Sequence, residues 1–230
     1  NLLVGVSQSD GSNVNQGSLD LTQISKVTMS LSEIRLGYGQ NSVGGLSLSN
    51  GYNSISTSKI SIAENVWYLS TTPSVLLLGS GTNVISSTAL RIGYTKGFGM
   101  LQFLSQTSGT LGTAIIGGTS QARPEVDIYV GVQNGVNNGL TAAGTIDLRG
   151  HWVSVTAGTF QIASGNASGS GGARGVFSMD AGTMTVNALT IGSIASSGGA
   201  FTGTDSGSLN IGGGNFIVNG SGSVVLAGKD

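Results

Sequence analysis

Residues 207–228 read GSLNIGGGNFIVNGSGSVVLAG, and this stretch carries the pattern that decides the fold. Its three apolar runs are each long enough for a strand of about three to five residues. Gly, Ser and Asn separate the runs, and these residue types tolerate positive φ angles and tight corners. The stretch therefore predicts one turn of a coil that is built from short β-strands.

The same pattern recurs along the chain in two strand phases. The first phase is an apolar-x-apolar strand, usually preceded by Gly or Ser, that starts near residues 18, 45, 74, 99, 125, 158, 182 and 207. A second strand keeps step with the first, at residues 33–37, 59–63, 89–93, 113–117, 145–149, 189–192 and 224–228. Repeat periods of about 20–50 residues are the signature of stacked repeat architectures. The sequence therefore predicts an all-β fold, a parallel β-helix (β-solenoid) of about eight irregular coils.

We interpret residues 1–230 as a single β-solenoid domain, because a solenoid grows in one dimension and needs no domain boundary. Residues 1–17 are predicted to form an incomplete first coil, and residues 18–230 the repeated coils. Alternation along a strand is expected to place Ile34 and Leu36 inward and Arg35 outward. The chain has 40 glycines, more than twice the usual share of about 7%, and we expect them to serve the corners between strands.

Composition excludes several classes of partner and site. Charged residues make up 8% of the chain, with nine Lys and Arg against ten Asp and Glu, so no basic stripe is expected to bind nucleic acid. The chain has no Cys and one His, a composition that predicts no metal site. No helical period follows a Gly-rich turn, so no dinucleotide cofactor is expected. The longest aliphatic runs, such as Val75–Leu78, are too short for a membrane-spanning helix.

Both ends of the predicted rod lack the polar capping units that solenoids usually carry. The chain begins with Asn and shows no basic-then-apolar leader, so we expect that a signal peptide was removed or that the segment comes from a larger protein. Contact between the last coil of one copy and the first coil of the next would generate an open filament. The candidate end-stacking residues are Leu2, Leu3, Val4, Val224, Val225 and Leu226.

The segment Asp147–Val153 has the densest cluster of reactive or aromatic side chains. Asp147, Arg149 and His151 are predicted to alternate onto one face of a strand, next to Trp152. His151 and Trp152 are therefore candidates for a lateral contact with a polysaccharide or with another copy of the protein. The alternative is that His151 is a hydrogen-bonded surface residue with no ligand.

Glu125 and Asp127 are two carboxylates at i and i+2 on one face of a predicted strand. Paired carboxylates can catalyse glycoside hydrolysis when their spacing admits a nucleophile or water. A solvated pair beside the nearby Arg123 is the commoner explanation of such a pattern. We therefore expect no catalytic residues and a protein that is not an enzyme.

Three later segments, Gly158–Ile162, Gly182–Gly192 and Gly207–Gly214, each begin with a Gly-Thr or Gly-Ser strand of the form apolar-x-apolar, and the last two contain an apolar-x-Ile-Gly ending. This motif resembles the passenger-type repeats of secreted bacterial surface proteins, including the autotransporter-associated β-strand repeat. The likeness covers the second half of the chain best. It implies a right-handed parallel β-helix outside the cell that serves adhesion, matrix or fibre building.

The repeats, the bare ends and the resemblance together predict a structural subunit of an extracellular fibre or cell-surface layer. The expected partner is the protein itself, in a head-to-tail homopolymer. The alternative function is an adhesin or polysaccharide-binding module that uses the lateral face of the solenoid.

Overall fold

The computed structural model describes residues 1–7, 15–66, 72–105, 112–134, 141–166, 171–192, 204–219 and 223–226. These residues form β-strands and no helix, so the all-β prediction is confirmed. The strands of the described residues are β1 (Leu2–Val6), β2 (Asn15–Asp20), β3 (Lys26–Tyr38), β4 (Ser42–Ser47), β5 (Tyr52–Glu64), β6 (Ser74–Leu78), β7 (Thr82–Ile92), β8 (Gly97–Phe103), β9 (Thr113–Gly117), β10 (Val126–Val130), β11 (Gln133–Asn134), β12 (Ala142–Asp147), β13 (Trp152–Ile162), β14 (Gly165–Asn166), β15 (Ala173–Met179), β16 (Gly182–Ile191), β17 (Ser206–Ile211), β18 (Asn215–Val218) and β19 (Val224–Leu226).

Two parallel sheets contain nearly all of these strands. The large sheet has ten strands, in the order β1-β3-β5-β7-β10-β13-β16-β18, with β9 between β7 and β13 and with β19 beside β16. The small sheet has seven strands, in the order β17-β15-β12-β8-β6-β4-β2. The chain alternates between the sheets, and we call one visit to each sheet a pass. Each strand pairs with its counterparts in the neighbouring passes, an arrangement consistent with a β-solenoid.

The core lies between the two sheets and consists of rows of stacked apolar side chains. One row of the large sheet runs through Ile34, Ile60, Leu90, Ile128, Phe160 and Leu189. The facing row of the small sheet runs through Leu46, Leu76, Leu101, Ile146, Phe177 and Leu209. Ile34 and Leu36 are buried, while the Arg35 side chain is partly exposed. The inward and outward assignment of these three residues is therefore confirmed.

Corners with positive φ lie within one residue of the C-terminal ends of the large-sheet strands. The residue that follows the last inward side chain has a positive φ in successive passes, and these residues are Gly5, Gly37, Ala63, Gly93, Gly131, Ala163 and Gly192. Backbone hydrogen bonds also join the corners of neighbouring passes. The Gly131 N–H donates to the Ile92 carbonyl at 2.8 Å, and the Ala163 N–H donates to the Val130 carbonyl at 2.9 Å.

A second set of glycines lies inside the small-sheet strands and packs against these corners. A Cβ added to Gly144 would lie 2.3 Å from the Ile92 oxygen and 2.4 Å from the Gly131 nitrogen. Similar close contacts recur at Gly44, Gly99, Gly175 and Gly207. The expectation that the glycines serve corners is therefore incomplete, because this set allows the backbones of the two sheets to approach each other.

The two predicted strand phases do not each follow one sheet. The segments that start at residues 18, 45, 74, 99 and 207 lie in the small sheet, but those at 125, 158 and 182 lie in the large sheet. The second-phase segment 145–149 likewise starts in the small sheet, unlike the others. Strands of both sheets alternate between apolar residues that face the common core and residues that face outward. The sequence pattern is therefore the same for both sheets and does not indicate which sheet a strand joins.

The predicted boundary between residues 17 and 18 falls inside β2. β1 pairs with β3 in the large sheet, and β2 pairs with β4 in the small sheet. These two strands therefore belong to a single pass that precedes β3.

Candidate functional site

The structure places His151 inside the protein, where its ring is 1% exposed. The ring stacks on Phe103 with centroids 3.7 Å apart. The Gly112 N–H donates to Nδ1 at 3.0 Å, so the proton lies on Nε2, which donates to the Ser105 carbonyl at 2.8 Å. The prediction that His151 makes a lateral contact is therefore wrong, because the ring is covered and both nitrogens are used.

The corner at Gly150 explains this error. β12 ends at Asp147, and Gly150 has a φ of 78°, so the strand alternation does not continue to His151. Asp147 and Arg149 stay on the surface and pair with each other, with Arg149 Nη2 2.6 Å from Asp147 Oδ2. The three residues that were predicted to share one face are thus divided between the surface and the interior.

Trp152 remains available on the outer face of the large sheet, the side turned away from the small sheet. Its side chain is 48% exposed. Trp152 pairs with Thr113, and the same row continues through Thr82 to the exposed Tyr52. This row supplies an aromatic residue at two places along the face.

Beside that row, small hydroxyl and aliphatic side chains cover the outer face in register. One row contains Thr28, Ser54, Val84, Ile115, Ser154, Thr183 and Asn215. Ser30, Ser56, Ser86 and Gly117 form the start of the next row. Sequence reasoning missed these rows, although the polar-x-polar spacing within each strand was visible, because the pairing register was unknown.

The predicted end-stacking residues lie in the edge strands of the large sheet. Leu2 and Val4 pair with Ile34 and Leu36 and so extend core rows. At the opposite edge, Val224 and Leu226 pair with Leu189 and Ile191 and extend core rows as well. The remaining two candidates, Leu3 and Val225, pair with Arg35 and Thr190, which places them in an outer row.

These edges expose apolar surface. Leu226 is 65% exposed, Val224 is 50% exposed, and Leu3 is 50% exposed. Leu2 is half-buried, and Val4 is 8% exposed. The β19 edge of the large sheet therefore exposes more of its apolar side chains than the β1 edge does.

A cluster of charges crosses the outer face near the corners. Lys59 Nζ lies 2.7 Å from Glu33 Oε1 and 3.2 Å from Glu64 Oε2. Arg91 Nη1 lies 2.6 Å from Glu64 Oε1, and its guanidinium lies 4.3 Å from the centre of the Tyr94 ring. The cluster thus joins three neighbouring strands of the large sheet.

The environment of Glu64 keeps its carboxylate ionised. Burial alone would raise the pKa of Glu64, but the Ser61 hydroxyl and the charges of Lys59 and Arg91 outweigh burial and lower the pKa below its ordinary value of 4.5. A carboxylate whose pKa is lower in the folded chain than in the unfolded chain stabilises the fold at pH values above its unfolded pKa. That stability is lost as the pH falls through the folded pKa.

We expect Glu64→Gln to lower the free energy of unfolding by about 1–3 kcal/mol at pH 7, because Lys59 and Arg91, which are partly buried, lose their counter-charge. The difference from the native chain should shrink as the pH falls below 4.5 and through the lowered pKa of Glu64 in the folded chain, where the native carboxylate becomes protonated. Urea unfolding at a series of pH values from 7 downward would measure it. Asp20→Asn, which changes an exposed carboxylate, serves as the control. A difference for Glu64→Gln that stays constant down to the lowest pH at which the native chain is folded would contradict the assignment.

Glu125 and Asp127 each have a partner of their own. Asp127 Oδ2 lies 2.8 Å from Arg123 Nη2, and Asp127 Oδ1 accepts the Thr159 N–H at 2.9 Å. Glu125 Oε1 accepts from Asn187 Nδ2 at 3.3 Å. These contacts account for both carboxylates as parts of local hydrogen-bonded networks.

Within the described ranges, no three His, Cys, Asp or Glu side chains are grouped so that they could hold a metal ion. The described part of the chain also contains no helix with the length and apolar character needed to cross a membrane. The exposed apolar and aromatic side chains described above lie on the two edges and on the outer face, which are the candidate surfaces. Comparison of the chain with protein-family models, with curated proteins and with solved structures found no match.

Proposed function

We propose that the protein is a structural subunit of an extracellular fibre or cell-surface layer and that its copies join end to end. One observation carries this proposal: the core rows of the large sheet extend to both of its edges. Leu2 and Val4 are the last members of these rows at the β1 edge, and Val224 and Leu226 are the last members at the β19 edge. An edge strand has unpaired N–H and C=O groups and can pair with another strand. A second copy can therefore continue both the ladder of hydrogen bonds and the apolar rows.

In this proposal the passes are the coils of a parallel β-helix, about eight in number. Strands in neighbouring coils lie about 4.8 Å apart, so a single copy would form a rod on the order of 40 Å long. Joining the β19 edge of one copy to the β1 edge of the next is a heterologous contact, which leads to an open filament unless the rotation closes a ring. The low charge of the chain leaves little repulsion between copies.

Filament growth can be tested with charges in the terminal core rows. We expect the native chain to form filaments that lengthen with concentration, and we expect a Val224→Lys, Leu226→Lys variant to remain as single rods, because two ammonium groups would be buried at the junction. Negative-stain microscopy and sedimentation velocity over a hundredfold range of concentration would measure this.

Val225→Lys is the matched control, since Val225 lies between the two substituted positions but in an outer row. It should leave filament growth unchanged. Circular dichroism should show the same strand content for all three chains. Monodisperse short rods of the native chain at the highest concentration would contradict the proposal.

A second candidate function is a binding module that holds polysaccharide on its outer face. The exposure of Trp152 favours it, because an exposed aromatic ring in a neutral surface is a ready contact for a sugar. His151 has no part in this candidate. Loss of binding to a glycan array on replacement of Trp152 by alanine would support it, and a native chain that binds no glycan on the array would overturn it.

A further inference from the structure

A groove lies on the outer face of the large sheet, between its hydroxyl rows and the segment 118–125. The groove is open to solvent and has a volume of about 350 Å³, within the range of about 300–1,000 Å³ that is typical of ligand sites. Its floor includes Val84, Ser86, Ile115, Ser154 and Thr156, and its wall includes Gly118 to Gln121 and Pro124.

The wall exists because the chain leaves the large sheet between β9 and β10. β9 ends at Gly117 and β10 begins at Val126, whereas the neighbouring strands β7 and β13 run without interruption. The loop between these two strands, residues 118–125, is closed at its base by the Gly118 N–H, which donates to the Pro124 carbonyl at 2.8 Å. Its tip is closed by the Arg123 N–H, which donates to the Ser120 carbonyl at 3.1 Å.

The lining of the groove combines hydroxyl groups with apolar surface and carries no charge. Ser86, Ser154 and Thr156 supply hydroxyls, and Ile115, which is 40% exposed, supplies apolar surface together with Val84. None of the lining residues is Asp, Glu, Lys, Arg or His. An anionic or cationic ligand would therefore lose its hydration there without gaining a counter-charge.

Trp152 lies next to the groove on the same strand. It precedes Ser154 by two residues and faces the same side of β13, so it lies about 6.6 Å from Ser154 along the strand. Trp152 is not itself part of the lining, but its exposed indole ring stands beside the hydroxyl and aliphatic groups of the groove, next to the lining residue Ser154. The C–H faces and hydroxyls of an uncharged sugar ring are complementary to this combination.

We propose that this groove, with Trp152 at its margin, binds a neutral polysaccharide chain. The inference rests on the second candidate function above and names its ligand class. The groove is separate from the β1 and β19 edges, so binding does not depend on filament growth. A second copy that packs into the groove is the competing occupant, and the test distinguishes the two.

The test compares soluble neutral polysaccharides (laminarin, xyloglucan and galactomannan) with the anionic polymers alginate and polygalacturonate, using affinity electrophoresis and calorimetry. Thr156→Glu introduces a negative charge on the floor of the groove, and Trp152→Ala removes the indole ring beside it. Each change should weaken binding to a neutral polymer by about tenfold or more. Thr28→Glu is the matched control, because Thr28 lies in the same outer row as Ser154 but outside the groove.

Thr28→Glu should bind as the native chain does, and circular dichroism and thermal unfolding should be alike for all variants. Binding to the anionic polymers alone would overturn the inference while leaving the outer-face function intact. Absence of binding to every polymer would overturn both. The inference would also be overturned if Thr156→Glu bound the neutral polymers as well as the native chain does. A third result against it would be a native chain that binds no polysaccharide but forms a dimer, and whose dimer Thr156→Glu dissociates.

Discussion

Gly144→Ala is expected to lower the free energy of unfolding by about 3 kcal/mol or more, although the change adds a single methyl group. That methyl carbon would lie 2.3 Å from the Ile92 oxygen and 2.4 Å from the Gly131 nitrogen. These two atoms are joined by the corner hydrogen bond of 2.8 Å. Both belong to the backbone, so neither can rotate away, and the two sheets must separate locally. Urea unfolding followed by circular dichroism would measure the loss.

Gly45→Ala is the control for this prediction. Gly45 directly follows Gly44, which is the residue of β4 equivalent to Gly144, and it faces outward. A Cβ at Gly45 would have its nearest neighbour at 3.6 Å, an ordinary contact. The free energy of unfolding should change by no more than about 0.5 kcal/mol. If both variants were equally stable, the close approach of the two sheets at Gly144 would be refuted.

Asn83→Ala is expected to cost about 3 kcal/mol of the free energy of unfolding, because several buried polar groups lose their partners together. The Asn83 side chain is fully buried. Its Oδ1 accepts from Asn53 Nδ2 at 2.9 Å and from the Gly79 N–H at 3.2 Å. Its Nδ2 donates to the carbonyls of Gly79 at 2.9 Å and Thr113 at 3.1 Å. Asn83 therefore bonds to the passes before and after its own.

Asn50→Ala provides a comparison at an exposed site. Asn50 Oδ1 accepts from the Ser80 N–H at 3.2 Å and from the Ser80 hydroxyl at 3.3 Å, and water can replace it there. We expect a change within about 0.5 kcal/mol. Thermal unfolding and urea titration of the two variants would separate them, and a loss at Asn83 no greater than that at Asn50 would show that the buried asparagines do not hold the passes together.

Alternation predicted the orientation of side chains well within strands and poorly at their ends. Ile34 and Leu36 face the core as expected, because they lie in the middle of β3. His151 does not follow the alternation of Asp147, because a corner with a positive φ at Gly150 separates them. The candidate lateral site therefore retained Trp152 and lost His151.

The groove was not predictable from the sequence for a related reason. Ser86, Ile115 and Ser154 are separated by tens of residues, and only the pairing of β7, β9 and β13 brings them side by side. The segment 118–125 can be recognised in the sequence as a longer corner. Its position over the outer face depends on how the neighbouring passes run beneath it.

The sequence by itself determined that the chain is all-β, that short apolar strands repeat along it, and that charged residues are few, because alternation and composition are local properties. Only the tertiary structure decided which strands share a sheet, which glycines allow the backbones of the two sheets to touch, and which polar side chains form rows on the outer face. These features depend on the register between passes. Register is set by contacts between residues about 30 positions apart, such as Asn53 and Asn83, and a strand pattern of period two does not encode it.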